Sequence, residues 1–143
     1  MKIISKIFVL LLIIFLSYAC VLLFLSCQNK SVENIEKILG CSVEKKIVFD
    51  EKKEQWNDFN GDGYKIMTYT IKEHHFRSIV NTIESKGFNK YDGRCDESLS
   101  KSEVYPIVKS GAGFYKRRNV NDEVETLFID TINKKMIYHY VTW

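Results

Sequence analysis

Residues 64–88, YKIMTYTIKEHHFRSIVNTIESKGF, determine the predicted fold class because two hydrophobic periods follow each other within them. From Tyr64 to Ile71 the residues alternate so that apolar side chains share one face, which is the pattern of a half-buried strand. From His74 to Lys86 the apolar residues recur at i, i+3, i+4 and i+7, which is typical of an amphipathic helix. Gly87 then suits the position at which helices commonly end. These residues therefore predict a strand that is followed directly by a helix.

The residues before this stretch predict one more helix and one more strand. Residues 31–39 have apolar positions on one face, with Ser31 as the predicted N-cap and Gly40 as the stop. A strand is predicted at residues 46–49, and residues 50–63 are polar and rich in turn-forming residues.

The residues after this stretch predict a strand-rich C-terminal half. Residues 89–103 are polar and predict a loop. Residues 104–109 predict an edge strand, because Pro106 cannot donate a hydrogen bond to a central ladder. Three further strands are predicted at residues 114–117, 124–132 and 135–142. Together these elements predict an α+β fold: an N-terminal membrane segment followed by a small antiparallel sheet covered by one amphipathic helix.

The N-terminus predicts a membrane anchor. Residues 7–26 are twenty residues without a charge, and as a helix they would span roughly 30 Å, the thickness of a bilayer's hydrocarbon core. Lys2 and Lys6 precede them, which favours a cytoplasmic N-terminus. We therefore expect residues 1–27 to form a membrane anchor or lipoprotein signal. Residues 28–143 are expected to form a single extracytoplasmic domain at the bacterial cell membrane.

The end of this segment leaves two kinds of anchor open. Phe24, Leu25, Ser26 and Cys27 resemble a relaxed bacterial lipobox, in which the cysteine is lipidated and the signal is cut just before it. The alternative is an uncleaved transmembrane helix with Cys27 as a thiol at its end. A cleaved secretory signal fits less well, because such apolar regions usually span about 7–15 residues.

Composition and charge restrict the partners. The chain has 21 Lys and Arg residues against 18 Asp and Glu residues, and two of the basic residues precede the apolar stretch. The remaining part is nearly neutral, so no electrostatic argument supports nucleic acid as a partner. Cys41 and Cys95 are the two cysteines left outside the anchor, and we predict a disulfide between them in an oxidising compartment. Two unpaired thiols are the alternative.

One segment resembles the beginning of a calcium-binding loop. Asp58, Asn60 and Asp62 would supply hard oxygen ligands, and Gly63 would make the sharp turn. The second half of the loop does not fit, because Tyr69 stands where a bidentate glutamate is required. A polar turn that opens a strand is the alternative interpretation.

The order of these motifs resembles a set of small bacterial envelope proteins with a Phe-x-Gly-Asp-Gly turn. The resemblance covers residues 31–143 and rests on Phe59 to Gly63, the Gly113-Phe114-Tyr115 strand and the final hairpin. The chain departs from that pattern at Asn57-Asp58, where paired glycines would stand, and at Asn60, where a histidine would stand. The resemblance implies the fold order and the envelope location, and it implies no activity.

No motif in the sequence indicates an enzyme. The chain lacks G-x-S-x-G, H-E-x-x-H, P-loop and G-x-G-x-x-G patterns, so we predict no catalytic residue and no cofactor. The adjacent residues His74 and His75 point about 100° apart on a helix and fit a polar helix start better than a metal site. The basic run at residues 116–118 fits a solvated strand face.

The function predicted from the sequence is therefore a membrane-anchored, non-enzymatic binding or accessory module of the cell envelope. Its partners would be the membrane, through the N-terminal segment, and a protein or surface ligand that the sequence does not identify. The alternative is a small envelope enzyme or a calcium-dependent module that uses the loop from Asp58 to Asp62.

Overall fold

The computed structural model describes residues 2–57, 61–94 and 102–143, apart from the side chains of residues 2–7, 24 and 27–29. It divides into two compact units, Met1–Glu33 and Asn34–Trp143.

Helix α1, Lys2–Leu39, makes up the first unit and continues into the second. Its large apolar side chains between Phe8 and Leu25 are exposed where they are described. Among the described residues, no helix combines the length and the apolar character needed to cross a membrane. The expected N-cap at Ser31 is wrong, because the helix is continuous through that residue. The expected stop is confirmed: α1 ends at Leu39, and Gly40 has a φ of 64°.

The second unit is a six-stranded antiparallel sheet with helices, which confirms the α+β class. The strand order is β1-β2-β6-β5-β4-β3. In chain order the elements are β1 (Ile47–Trp56), β2 (Gly63–Ile71), α2 (Glu73–Glu84), β3 (Asn89–Asp92), α3 (Tyr105–Val108), β4 (Ala112–Val120), β5 (Glu123–Asp130) and β6 (Lys135–Thr142).

One side of the sheet, the helical face, packs against α2 and the last turns of α1. Strand alternation places every second residue of β2, β5 and β6 on this face. These residues and those of the two helices form an apolar layer that excludes solvent. Its buried members include Ile35, Leu39, Met67, Tyr69, Ile79, Ile83, Leu127, Ile129 and Met136.

The other side, the open face, is covered in part by α3. A second buried cluster lies between this short helix and the sheet, and it consists of Ile66, Tyr91, Val104, Val108, Phe128 and Ile137. The expectation of one covering helix is therefore incomplete, because helical elements pack on both faces. The open face has no helix as long as α2 within the described residues, so part of its surface is left as a cavity.

Three local predictions are wrong, each for a physical reason. Residues 104–109 form helix α3, because Pro106 also suits the first turn of a helix, where no N–H needs a partner. Strand β1 continues to Trp56, although its second half is charged, because that half is exposed at the sheet edge. The predicted loop at residues 89–103 contains β3, which pairs with β4.

Candidate functional site

A cavity of about 650 Å³ lies on the open face, at the end of the sheet where β2 begins and β6 ends. Its floor is formed by residues of β5 and β6, and its rim carries charged residues from the flanking segments. The lining residues that matter for its chemistry are Asp62, Tyr64, Glu103, Tyr115, Arg117, Thr126, Phe128, His139 and Trp143.

Strand register explains why these residues meet. Thr126 on β5 pairs with Arg117 on β4 and with His139 on β6, so the three side chains lie in one row across the open face. Phe128 lies two residues further along β5 and pairs with Tyr115. Residues two apart on a strand point to the same face, so the sheet itself positions the floor of the cavity.

His139 is the buried polar group of the cavity. Its side chain belongs to a residue that is 6% exposed, and its Nε2 has no hydrogen-bond partner among the described residues. The nearest charged oxygen is Glu103 Oε2 at 3.8 Å, which is too far for a direct hydrogen bond. Burial lowers the pKa of His139; Glu103 opposes this shift and Arg117 reinforces it. The imidazole is therefore neutral at pH 7.

Aromatic rings give the cavity a firm apolar wall. The rings of Tyr115 and Phe128 are stacked, with centroids 5.8 Å apart and an interplanar angle of 25°. Tyr91 also packs edge-on against Phe128, at 5.5 Å. Phe128 is 1% exposed, so these contacts fix a rigid apolar floor beneath the half-buried ring of Tyr115.

The rim carries both signs of charge. The side chain of Glu103 is 48% exposed, and its only ion pair among the described residues is the long contact to His139. Asp62 is half-buried, and Arg117 is exposed. Arg117 lines the cavity from β4, and its positive charge disfavours protonation of His139.

The helical face holds a contrasting polar cluster, which is fully paired. Glu125 is buried at 3% exposure and accepts hydrogen bonds from Arg118, whose Nε lies 2.7 Å from Oε2. Tyr138 donates its hydroxyl proton to Glu125 Oε1 at 2.7 Å. Asn34 in turn donates to the Tyr138 oxygen at 3.1 Å. Burial raises the pKa of Tyr138, so its hydroxyl stays protonated. This cluster supports the fold and faces away from the cavity.

The residues singled out from the sequence are only partly described. Asp58, Asn60 and Cys95, together with the Cys27 side chain, lie outside the described residues. Cys41 is half-buried and forms no disulfide within the described part of the chain. The predicted Cys41–Cys95 bond, the lipidation of Cys27 and the calcium loop therefore remain predictions. Asp62 is described, and it lies on the rim of the cavity.

The histidines and the candidate metal ligands among the described residues lie apart from one another. No group of three or more His, Cys, Asp or Glu side chains is placed to hold a metal ion within residues 2–57, 61–94 and 102–143. His74 and His75 lie beside each other, with ring centroids 4.0 Å apart, at the start of α2. His139 lies on the open face and does not join them. No described hydroxyl or thiol hydrogen-bonds to His139 Nε2.

Comparison with known proteins identifies no relative, so the interpretation of the site rests on its geometry. No family model, no curated protein and no solved structure matches the chain.

Sequence reasoning missed the cavity because its members are far apart in the chain. The basic run at residues 116–118 predicts a solvated face for Arg117, and His139 lies within the last predicted strand, residues 135–142. The alternation of residues 116–118 was the available signal: it separates Arg117, on the open face, from Arg118, which pairs with Glu125. Locating Glu103 beside His139 required the position of α3.

Proposed function

We propose that the protein is a membrane-tethered, non-enzymatic binding module of the bacterial cell envelope, and that its ligand occupies the open-face cavity. The observation that carries this proposal is the cavity of about 650 Å³, whose lining combines aromatic side chains with side chains of both charges. The volume falls within the range of about 300–1,000 Å³ that is usual for small-molecule sites.

The envelope location is proposed from the sequence. The uncharged residues 7–26 follow two lysines, and this arrangement favours an anchor with residues 28–143 outside the cytoplasm. The resemblance to small envelope proteins supports the same location. Replacing Cys27 by serine separates the two kinds of anchor: palmitate labelling and processing would be lost if the protein is a lipoprotein. Wild-type protein that carries no label and keeps its first 26 residues would indicate a plain membrane helix.

The binding function is tested by filling the cavity. Thr126 lies on its floor, so Thr126→Phe should occupy the space that a ligand needs. Ile132→Phe adds the same ring at an exposed turn on the far end of β5 and serves as the matched control. Full-length protein in detergent is screened against a small-molecule library by thermal shift. Compounds that stabilise wild type and Ile132→Phe, but not Thr126→Phe, support the proposal; equal shifts in all three proteins contradict it.

A calcium titration of the same full-length protein tests the alternative function. Asp62 is the described member of the loop from Asp58 to Asp62, and its carboxylate lies on the cavity rim. A calcium-dependent module would gain thermal stability with calcium and lose that gain in Asp62→Asn. An unchanged melting temperature would exclude calcium as the ligand.

A further inference from the structure

We propose that one end of the sheet contacts the membrane to which the domain is tethered, and that two tryptophans at this end enter the lipid headgroup layer. The partner is a zwitterionic phospholipid surface. This inference rests on the membrane tether of the proposed function and adds to it the orientation of the domain.

Strand register gathers exposed apolar side chains at this end of the sheet. One row of paired residues, the terminal row, crosses five strands there: Trp56, Gly63, Thr142, Glu123 and Val120. Trp143 follows Thr142 directly. With about 4.8 Å between neighbouring strands, the row is about 19 Å long.

The distribution of exposed apolar side chains singles out this row. Outside α1, five large apolar side chains are exposed among the described residues: Val48, Trp56, Val120, Ile132 and Trp143. Three of the five, Trp56, Val120 and Trp143, belong to the terminal row or follow it. The chain has two tryptophans, so both of them are exposed at the same end, at 41% and 66%.

The two tryptophans lie on opposite faces of the sheet. The ring of Trp56 lies 6.1 Å from that of Tyr140, which is two residues beyond Tyr138 and therefore shares the helical face. Trp143 lines the cavity on the open face. Rings on both faces of the same end favour an end-on contact, in which the strands point towards the membrane.

The chemistry of these rings fits a lipid headgroup layer. Tryptophan and tyrosine are enriched where a membrane meets water, because their amphipathic rings combine an apolar body with a polar N–H or O–H group. The indole Nε1 of Trp56 already donates to Glu54 Oε2 at 3.3 Å, so the ring leaves water without losing a hydrogen bond. The half-buried rings of Tyr64 and Tyr140 lie one residue inside the terminal row on their strands.

The length of the tether allows this contact. Seven residues, 27–33, separate the uncharged stretch from Asn34, the first residue of the second unit, and they reach at most about 25 Å. Asn34 donates to the Tyr138 hydroxyl oxygen, and Tyr138 lies about 13 Å along β6 from Thr142. A domain held this close to the bilayer loses little further freedom when its end touches the surface.

The charges around the terminal row favour a zwitterionic surface over an anionic one. Within two residues of the row, the described chain carries five carboxylates against two basic side chains: Glu54, Asp62, Asp122, Glu123 and Glu125 against Lys65 and Arg118. An anionic lipid surface attracts basic segments and repels an excess of negative charge. The aromatic rings, and not charge attraction, therefore provide the contact.

The experiment uses the full-length chain in phosphatidylcholine nanodiscs, with one chain per disc so that no second copy covers the rings. Residues 7–26 contain no tryptophan, so tryptophan fluorescence reports on this end of the sheet alone. Trp56→Phe and Trp143→Phe each leave one reporter. The matched control adds Ile132→Trp to both of these changes, which moves the reporter to an exposed turn about 26 Å away at the other end of β6.

We expect both native tryptophans to be quenched when the lipid carries bromine on its acyl chains near the headgroups. Each should lose about half of its emission, because an interfacial ring lies beside these bromine atoms, whereas the Ile132→Trp reporter should keep nearly all of it. Exchanging half of the phosphatidylcholine for phosphatidylglycerol should weaken the quenching, and high salt should restore it by screening the repulsion.

Other outcomes overturn the inference and leave the tether intact. Blue-shifted emission without quenching would show that protein covers the rings, and red-shifted emission without quenching would show that they face water. Equal quenching of the Ile132→Trp reporter would show that the domain has no preferred end. Quenching that requires phosphatidylglycerol would assign the contact to basic side chains. A chain that does not enter the discs has no membrane tether, and that result would refute the proposed function itself.

Discussion

The two faces of the sheet differ in whether their buried polar side chains have hydrogen-bond partners among the described residues. On the helical face, the buried carboxylate of Glu125 accepts hydrogen bonds from Arg118 and Tyr138. On the open face lie all three buried side-chain polar atoms that lack a partner within the described residues: Thr68 Oγ1, Tyr91 Oη and His139 Nε2. The same strands supply both faces, so the difference lies in what covers them. Long helices close the helical face, whereas the short α3 leaves the open face incomplete.

This contrast predicts that stability and the proposed binding depend on different faces of the sheet. A paired buried group contributes to the fold, whereas an unpaired group costs free energy and is rare in native proteins. Groups of this kind accumulate where a ligand completes the arrangement. The helical face is therefore expected to dominate the free energy of unfolding, and the open face is expected to dominate ligand binding.

The largest expected effect is at the ion pair of the helical face. Arg118→Met leaves the Glu125 carboxylate buried without its counter-charge, and we expect the free energy of unfolding to fall by about 3 kcal/mol. The Arg118 side chain is 36% exposed, which keeps the loss below the upper end for fully enclosed pairs. Urea denaturation measures it. Arg94→Met, at an exposed arginine, is the control and should change stability by less than about 0.5 kcal/mol.

Tyr138→Phe removes a hydroxyl with two partners and tests the same cluster at smaller scale. Glu125 loses a donor and Asn34 loses an acceptor, so we expect a loss of about 2 kcal/mol in the free energy of unfolding. A double-mutant cycle with Arg118→Met should give a clearly non-additive result, because both residues contact the same carboxylate. Additive losses would show that Glu125 is not the shared partner.

Tyr91→Phe is the matching change on the open face, and the opposite sign is expected. The Tyr91 hydroxyl is buried without a hydrogen-bond partner among the described residues, so removing it relieves an unpaired group. We expect stability to be unchanged or to rise by up to about 1 kcal/mol in the same urea titration. A loss comparable to that of Tyr138→Phe would break the comparison between the two faces.

The smallest expected effect is the pH dependence that His139 contributes. Burial lowers the pKa of His139 in the folded state below the usual value of about 6.5. Above that value the residue is neutral in both states and its contribution is complete. As the pH falls below about 6.5, the unfolded chain takes up a proton that the folded chain does not, so stability falls.

Melting temperatures at pH 7.5, 6.5 and 5.5 measure this dependence. The decrease between pH 7.5 and 5.5 should be smaller in His139→Gln than in wild type. His74→Gln removes an exposed histidine and should leave the wild-type decrease intact. An identical pH profile in His139→Gln would show that Glu103 fully compensates for the burial of the imidazole.

The sequence predicted those elements whose pattern is local. Strand β2 and helix α2 each follow a single hydrophobic period, and both are confirmed within two residues at each end. Residues 104–109 were assigned to a strand because Pro106 is compatible with both an edge strand and a helix start, and the sequence alone does not choose between them. Strand β3 is four residues long and polar, so it forms through pairing with β4 and carries no periodic signal of its own.

The site was harder to predict from the sequence than the fold, because it depends on strand register and on the position of α3. His139, Thr126 and Arg117 meet through pairings between three strands, which no single segment encodes. Glu103 reaches His139 from a segment that was assigned to a loop. The motifs and the resemblance each consist of contiguous residues, so the cavity could not follow from them.

The path of the chain from Asn34 into the sheet has a mechanical consequence. The bond from Asn34 to Tyr138 joins the end of α1 to β6, an interior strand, through one side-chain hydrogen bond. The covalent chain, however, enters the sheet at β1, an edge strand with one ladder. A pull on the chain before Asn34 is therefore expected to break that single bond and then to peel β1 from β2, before it loads the interior strands.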